Sequence, residues 1–129
     1  MNIYESSEDY LECILILSKK QGNVKSIDIA HELNFSKPSV SIAMKKLKES
    51  GYLIIGEHGY ISLTDKGYMI ASKTYEKHLL LKEILMKLGV DEKTAKTDAC
   101  KVEHNLSDES FEAIKNFYLN APTNTKYQN

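Results

Sequence analysis

The sequence predicts a mainly α-helical chain: an N-terminal winged helix-turn-helix with a two-stranded wing, followed by an α-helical second half. Three observations predict it. Apolar residues recur at helical spacing in six stretches, and capping residues and glycines punctuate them. One stretch alone, GYLIIGEHGYISLT, carries two β-branched runs around a Gly-bounded turn. The order helix, helix, helix, hairpin is the one a winged helix-turn-helix requires.

Tyr10, Ile14 and Leu17, with Leu11 and Leu15 alongside, give helical periodicity over about residues 6–19, ended by Gly22 and Asn23. Ser26 can cap a second, short helix over 27–33. Asn34 and Phe35 turn the chain. Ser36 can then cap a third helix over 37–50, with Pro38 in the first turn, where a missing N–H is harmless. Its Val40, Ala43, Met44 and Leu47 form an i, i+3, i+4, i+7 stripe, and Gly51 stops it. Strands over 52–55 and 60–63 flank a four-residue loop, 56–59. Thr64 caps a long helix whose Ile70, Ala71, Tyr75, Leu81, Ile84, Leu85 and Leu88 run to Gly89. Asp91 can cap a helix through Leu106, and Ser107 one to about Leu119. Residues 120–129 have almost nothing to bury and are expected to be a disordered tail. The expected division is a winged helix-turn-helix over 1–64 and a helical domain over 65–119.

With 129 residues, 42% hydrophobic and 27% charged, the chain can bury a modest core in one or two small domains. It has no run of ~18 apolar residues for a membrane span. Its start, MNIYESSEDY, lacks the basic-then-apolar signature of a secretory signal, so a cytoplasmic address is expected. In a reducing compartment Cys13 and Cys100 are expected as free thiols or metal ligands, and Cys13, on an apolar helix, as a small buried hydrophobe. The net charge of −1 decides nothing about partners, but its distribution does. Residues 36–50 set four lysines against Glu49, a net +3, whereas residues 91–112 set seven acids against three lysines, a net −4. Glu5, Glu8, Asp9 and Glu12 add an acidic stretch with no base. An anion-binding element and a cation-binding element in one chain are implied.

With the Val40/Met44 stripe turned inward, the third helix shows Pro38, Ile42, Lys45 and Glu49 outward. Ser39 and Lys46 flank them on one side, Ser41 and Lys48 on the other. Hydroxyls near a helix start reach base edges or phosphates, lysines neutralise phosphates, and Ile42 suits a thymine methyl in a major groove. The plain alternative is a solvated amphipathic face. His58 and Tyr60 lie near the hairpin tip, where they can meet the backbone or minor groove.

The last helices carry a second constellation. At about 100° per residue, Cys100 and His104 lie about 40° apart, with Glu103 about 60° to the other side. Asp9 and Glu12, three apart, share one face of the first helix, and His78 sits on the long one. Imidazoles, carboxylates and a thiol suit a divalent transition ion. Each part has a plainer reading: acids favouring a helix N-terminus, a packed histidine, or a Cys/His nucleophile pair. The last lacks an evident oxyanion hole, and no Gly-rich phosphate loop or zincin pattern accompanies it. No enzyme is expected.

The motifs SEDYLE, IDIAHELNFSKPSVSIAMKKLKESGYL, LTDKG, the histidine of YEKHLLLKEIL, and LGVDEKTAKTDACKVEHNLS are similar in order, spacing and type to one family. That family is the metal-dependent repressors of the diphtheria toxin repressor and manganese transport regulator type, matched over about residues 5–118. The resemblance implies that Asp9, Glu12, His78, Cys100, Glu103 and His104 ligate metal. It implies a homodimer built on the helices after the wing, and metal-activated binding to a double-stranded operator. It places Ser36, Pro38 and Ser39 at DNA contacts; taken together with the outward face and the basic start of the third helix, the candidate contacts are Ser36, Lys37, Pro38, Ser39, Ser41, Ile42, Lys45 and Lys46. A third, SH3-like domain is not expected. The site is a hybrid: manganese regulators carry Glu where Cys100 stands, and iron repressors carry Met where Asp9 stands. Lys96 stands where the iron repressors' ancillary site needs a histidine, so no such site is expected. A thiolate favours Fe2+, Co2+ or Zn2+, while carboxylates favour Mn2+ and Fe2+. Mn2+ or Fe2+ is expected as the physiological ion, with Co2+ and Zn2+ as substitutes. The rival readings are a metal-buffering or structural metal protein that leaves DNA alone, and a metal-independent winged-helix regulator.

Overall fold

In the computed structural model, which describes residues 5–121, helix α1 (Glu5–Gln21) puts Leu11, Cys13, Ile14, Leu15 and Leu17 into the core of the first half. The short α2 (Ser26–Leu33) adds Ile29 and Ala30. The third helix, α3 (Lys37–Glu49), adds Val40, Met44 and Leu47. Strands β1 (Leu53–Ile55) and β2 (Ile61–Leu63) pair antiparallel with Leu53 opposite Leu63 and Ile55 opposite Ile61. Alternation then points Leu53 and Ile61 inward and Ile54 and Ser62 outward. Helices α4 (Asp65–Lys87), α5 (Glu92–Glu103) and α6 (Asp108–Leu119) complete the order. The described residues form two compact units, one up to Lys73 and one from Thr74. In the second, Leu81, Ala95, Ala99 and Phe111 are buried. No helix among the described residues is long and apolar enough to cross a membrane.

Local differences from the sequence-based expectations have physical causes. Ser26 is not the cap of α2. Lys25 takes that place, and the Asp28 carboxylate accepts from the Lys25 backbone N–H at 2.9 Å. An acid at the third helical position does the work that a capping hydroxyl was expected to do. Both strands are one residue shorter than expected, because Tyr52 and Tyr60 fall outside the ladder and a 3-10 turn, Glu57–Gly59, closes the hairpin. Helix α5 ends at Glu103 rather than Leu106: the Asn105 side chain donates to the Lys101 carbonyl at 2.8 Å and closes the last turn. The expected caps Ser36, Asp91 and Ser107 each accept from the backbone N–H three residues on. Asn34 adopts the left-handed conformation (φ 58°) that makes the turn between α2 and α3, a shape asparagine tolerates better than most residues. The tail expected over 120–129 lies, from residue 122, outside the described residues.

Cys13 is 5% exposed, and both cysteines are free thiols. Burial first, then the charges of Glu32, Glu12 and Asp9, push the Cys13 thiol up to about 12.

The wing joins α4 at a tight corner. The Thr64 hydroxyl donates to the Gly51 carbonyl at 2.7 Å and accepts from the Gly67 N–H at 3.2 Å, so it caps α4 and ties it to the end of α3. Lys66 adds a bond to the Ser50 carbonyl at 3.3 Å and lies 4.4 Å from the centre of the Tyr52 ring. Gly67 is buried against the Tyr52 carbonyl oxygen, and a Cβ there would collide with that backbone atom. In an open helical position Gly→Ala stabilises by up to about 1 kcal/mol. Gly67→Ala is expected to do the opposite, by roughly 1–3 kcal/mol as for other overpacked sites. A urea midpoint that falls while the slope m stays constant is the expected result.

Candidate nucleic-acid face and metal centre

The start of α3 is organised by its own hydroxyls. Ser36 Oγ accepts from the Ser39 N–H at 3.3 Å, and its hydroxyl donates to Ser39 Oγ at 2.8 Å. The eight candidate contacts, Ser36, Lys37, Pro38, Ser39, Ser41, Ile42, Lys45 and Lys46, are all exposed. Ile42 is 58% exposed, although the stripe on the opposite face of the same helix is buried. A large apolar side chain held outward among lysines and serines is what a groove floor with a methyl group accommodates. At the wing, His58 adopts a left-handed conformation (φ 63°) that presents it at the tip, and Lys25 Nζ lies 5.1 Å from the centre of the Tyr60 ring.

In the second unit, α4 and α5 bring His78, Cys100 and Glu103 together, with one donor atom of each within 4.8 Å of the others. His78 Nδ1 lies 3.3 Å from a Glu103 oxygen and 3.7 Å from Cys100 Sγ. The other Glu103 oxygen is 3.5 Å from Nε2 of His104, which caps α5. The Glu103 side chain has no exposed surface, and that of His104 is 2% exposed. A carboxylate so placed needs polar partners, and two imidazoles lie against its oxygens. The Cys100 contact and the Glu103 bond and charge hold the His78 imidazolium up to about 10, against the opposing effect of burial. Imidazole, thiol and carboxylate at this spacing form a mixed soft and hard donor set that fits a borderline divalent ion such as Fe2+, Co2+ or Zn2+, and Mn2+ less well.

Asp9 and Glu12 both lie on α1 in the first unit, Asp9 half-buried and Glu12 buried at 7% exposure. Reading the sequence residue by residue missed Lys77, one position before His78. Its Nζ donates to the Leu106 carbonyl at 3.0 Å and pairs with Asp108 at 3.2 Å. Lys73 and Thr74 share its helix face with Ile70 and Leu81, so no local pattern singled it out.

Residues 64–128 match the family model described as iron dependent repressor, metal binding and dimerisation domain. Residues 2–60 match the companion model, the N-terminal DNA binding domain of the same repressors. An uncharacterised HTH-type transcriptional regulator of Methanocaldococcus jannaschii is 42% identical over 115 residues, covering 88% of this chain and 92% of that one. The HTH-type transcriptional regulator MntR of Lysinibacillus sphaericus is 34% identical over 109 residues, covering 84% and 78%. Among solved structures, the manganese regulator SloR superposes with a TM-score of 0.78 at 32% identity, covering 95% of this chain and 56% of its own. The chain thus spans little more than half the length of that solved relative.

The contacts of His78 with Cys100 and Glu103 set a sign for stability in metal-free protein. A raised imidazole pKa adds stability that is complete below the unfolded value, near 6.5, and is lost as pH rises towards 10. Chemical denaturation across that window is expected to show stability declining with pH. In Glu103→Gln the decline should be shallower and the His78 imidazole, followed by NMR, should titrate lower.

Proposed function

Since the chain belongs to the iron-dependent repressor family, we propose that it is a divalent-metal-activated repressor of transcription that acts as a homodimer on metal-homeostasis genes. The observation that carries this reading is the meeting of His78, Cys100 and Glu103 within 4.8 Å in a chain whose α3 displays serines, lysines and Ile42 outward. A metal-buffering protein would have no use for that outward face, and a metal-independent regulator none for the buried donor cluster.

In this reading His78, Cys100, Glu103 and His104 hold the ion, and the family resemblance adds Asp9 and Glu12 to the set. Mn2+ or Fe2+ is the proposed physiological ion, with Co2+ and Zn2+ as substitutes: the thiol alone favours softer ions, but the carboxylates of Asp9, Glu12 and Glu103 favour Mn2+ and Fe2+. The bound ion supplies positive charge that offsets the repulsion among the acids at positions 9, 12 and 103. Acids drawn from both halves of the chain then restrain how far the two reading helices of a dimer can swing, and half-sites about 34 Å apart accept only some of those positions. By linkage, DNA tightens metal binding by the factor by which metal tightens DNA binding, ordinarily about 5–150-fold or 1–3 kcal/mol. Ser36, Lys37, Ser41, Lys45 and Lys46 meet phosphates in this reading, while Pro38, Ser39 and Ile42 face base edges.

A gel shift with operator DNA, with and without added metal, tests the whole reading: binding must be stimulated by metal. His104→Ala and Glu12→Gln are expected to remain folded and dimeric yet lose that stimulation. A His104→Ala protein with the full wild-type gain would defeat the proposal. Lys45→Ala or Lys46→Ala should weaken binding to every sequence alike and lower the salt slope by about 1 each. Cys100→Glu removes the soft ligand, so metal titrations should show preference moving towards Mn2+ and away from Fe2+, Co2+ and Zn2+. An unchanged ranking of metals would exclude the thiol as a ligand.

A further inference from the structure

We propose that Lys77 is a positioning residue for the metal centre: it braces the turn between α5 and α6, and so keeps Glu103 and His104 aligned with His78. The proposal rests on the metal reading given above and adds to it a residue that is not a ligand. Lys77 is adjacent to His78 on α4, and its side chain is only 11% exposed. Its ammonium group donates to the backbone carbonyl of Leu106 at 3.0 Å, pairs with Asp108 at 3.2 Å, and lies 6.0 Å from the centre of the buried Phe111 ring. Leu106 follows His104 by two residues, and Asp108 opens α6.

Burying an ammonium group is unfavourable unless partners compensate, and an apolar side chain of similar length would fill the same space without that cost. What the amine adds is a tie of fixed length between α4 and a main-chain atom of the turn. A bond to a carbonyl fixes the path of the chain, not merely one side chain. The path in question begins where α5 ends, at Glu103 and its cap His104. Among the other ties between α4 and α6, Glu76–Lys115 at 2.6 Å and Glu83–Tyr118 at 2.7 Å attach farther along α6 and lie at the surface. They hold the helices together without reaching the turn.

The test is titration of the full-length protein with Co2+, followed by visible absorption, where thiolate-to-cobalt charge transfer and ligand-field bands report the geometry at the ion. Groups that orient metal ligands are ordinarily worth about 10–100-fold in affinity. Lys77→Met is therefore expected to bind Co2+ about 10–100-fold more weakly, with shifted bands. Lys115→Met, which loses a tie between the same helices, should keep wild-type affinity and spectrum. A Lys77→Met protein with wild-type affinity and bands overturns the proposal, as does an equal loss in both variants, which would reflect general loosening. If circular dichroism shows Lys77→Met unfolded, Asp108→Asn takes its place: several-fold weaker Co2+ binding supports the brace, and unchanged binding refutes it. A wild-type chain that binds no Co2+ at all would remove the metal reading itself, and the brace with it. Failure in the Lys77 and Asp108 variants alone would remove only the brace.

Discussion

The buried carboxylate of Glu103 imposes the strongest constraint in the second half of the chain. Its side chain has no exposed surface, and a lone charge in that position would be protonated or would unfold the site. The imidazoles of His78 and His104 occupy its two oxygens at 3.3 and 3.5 Å. That requirement sets the register of α5 against α4, because only one rotation of α5 delivers Glu103 to His78 and also brings Cys100 alongside. His78, Cys100 and Glu103 are also the candidate metal donors, and in that reading an ion would compete with the proton for the His78 imidazole.

Much of this was legible in the sequence, and the exceptions follow a pattern. Periodicity found the six α-helices among the described residues, and the Gly-bounded hairpin found the wing, because those signals are local. The face of α3 was equally readable: once Val40, Met44 and Leu47 turn inward, Ile42 and the lysines must turn out. Boundaries were read less well where a side chain other than the expected capping residue decided them. Asp28 displaced Ser26 as the capping group of α2, and Asn105 shortened α5. That Cys100, Glu103 and His104 share a helix face followed from spacing. That His78, more than twenty residues earlier, meets two of them through a single nitrogen required the packing of α4 against α5 and could be suggested only by family resemblance. Lys77 escaped notice because its partner is a main-chain carbonyl, which carries no mark in the sequence.

The reading half depends on a different kind of constraint. At the corner after the wing, Thr64, Lys66 and Gly67 all meet backbone atoms of residues 50–52, and the space beside Tyr52 admits no side chain at position 67. The LTDKG motif is thus a joint. Its threonine caps the helix, its lysine covers an aromatic ring, and its glycine permits the close approach. The threonine and glycine roles are set by backbone atoms of Gly51 and Tyr52, and the lysine adds a bond to the Ser50 carbonyl.

The burial of Cys13 gives the molecule a practical asymmetry. With 5% exposure and a thiol held up to about 12, Cys13 is closed to alkylating reagents while the fold is intact, whereas Cys100 is half-buried beside the candidate ligands. The native chain therefore presents one addressable sulfur and the denatured chain two. A maleimide or a thiol-reactive fluorophore placed on the native protein reports from the cluster itself, and whatever occupies that cluster competes directly with the label.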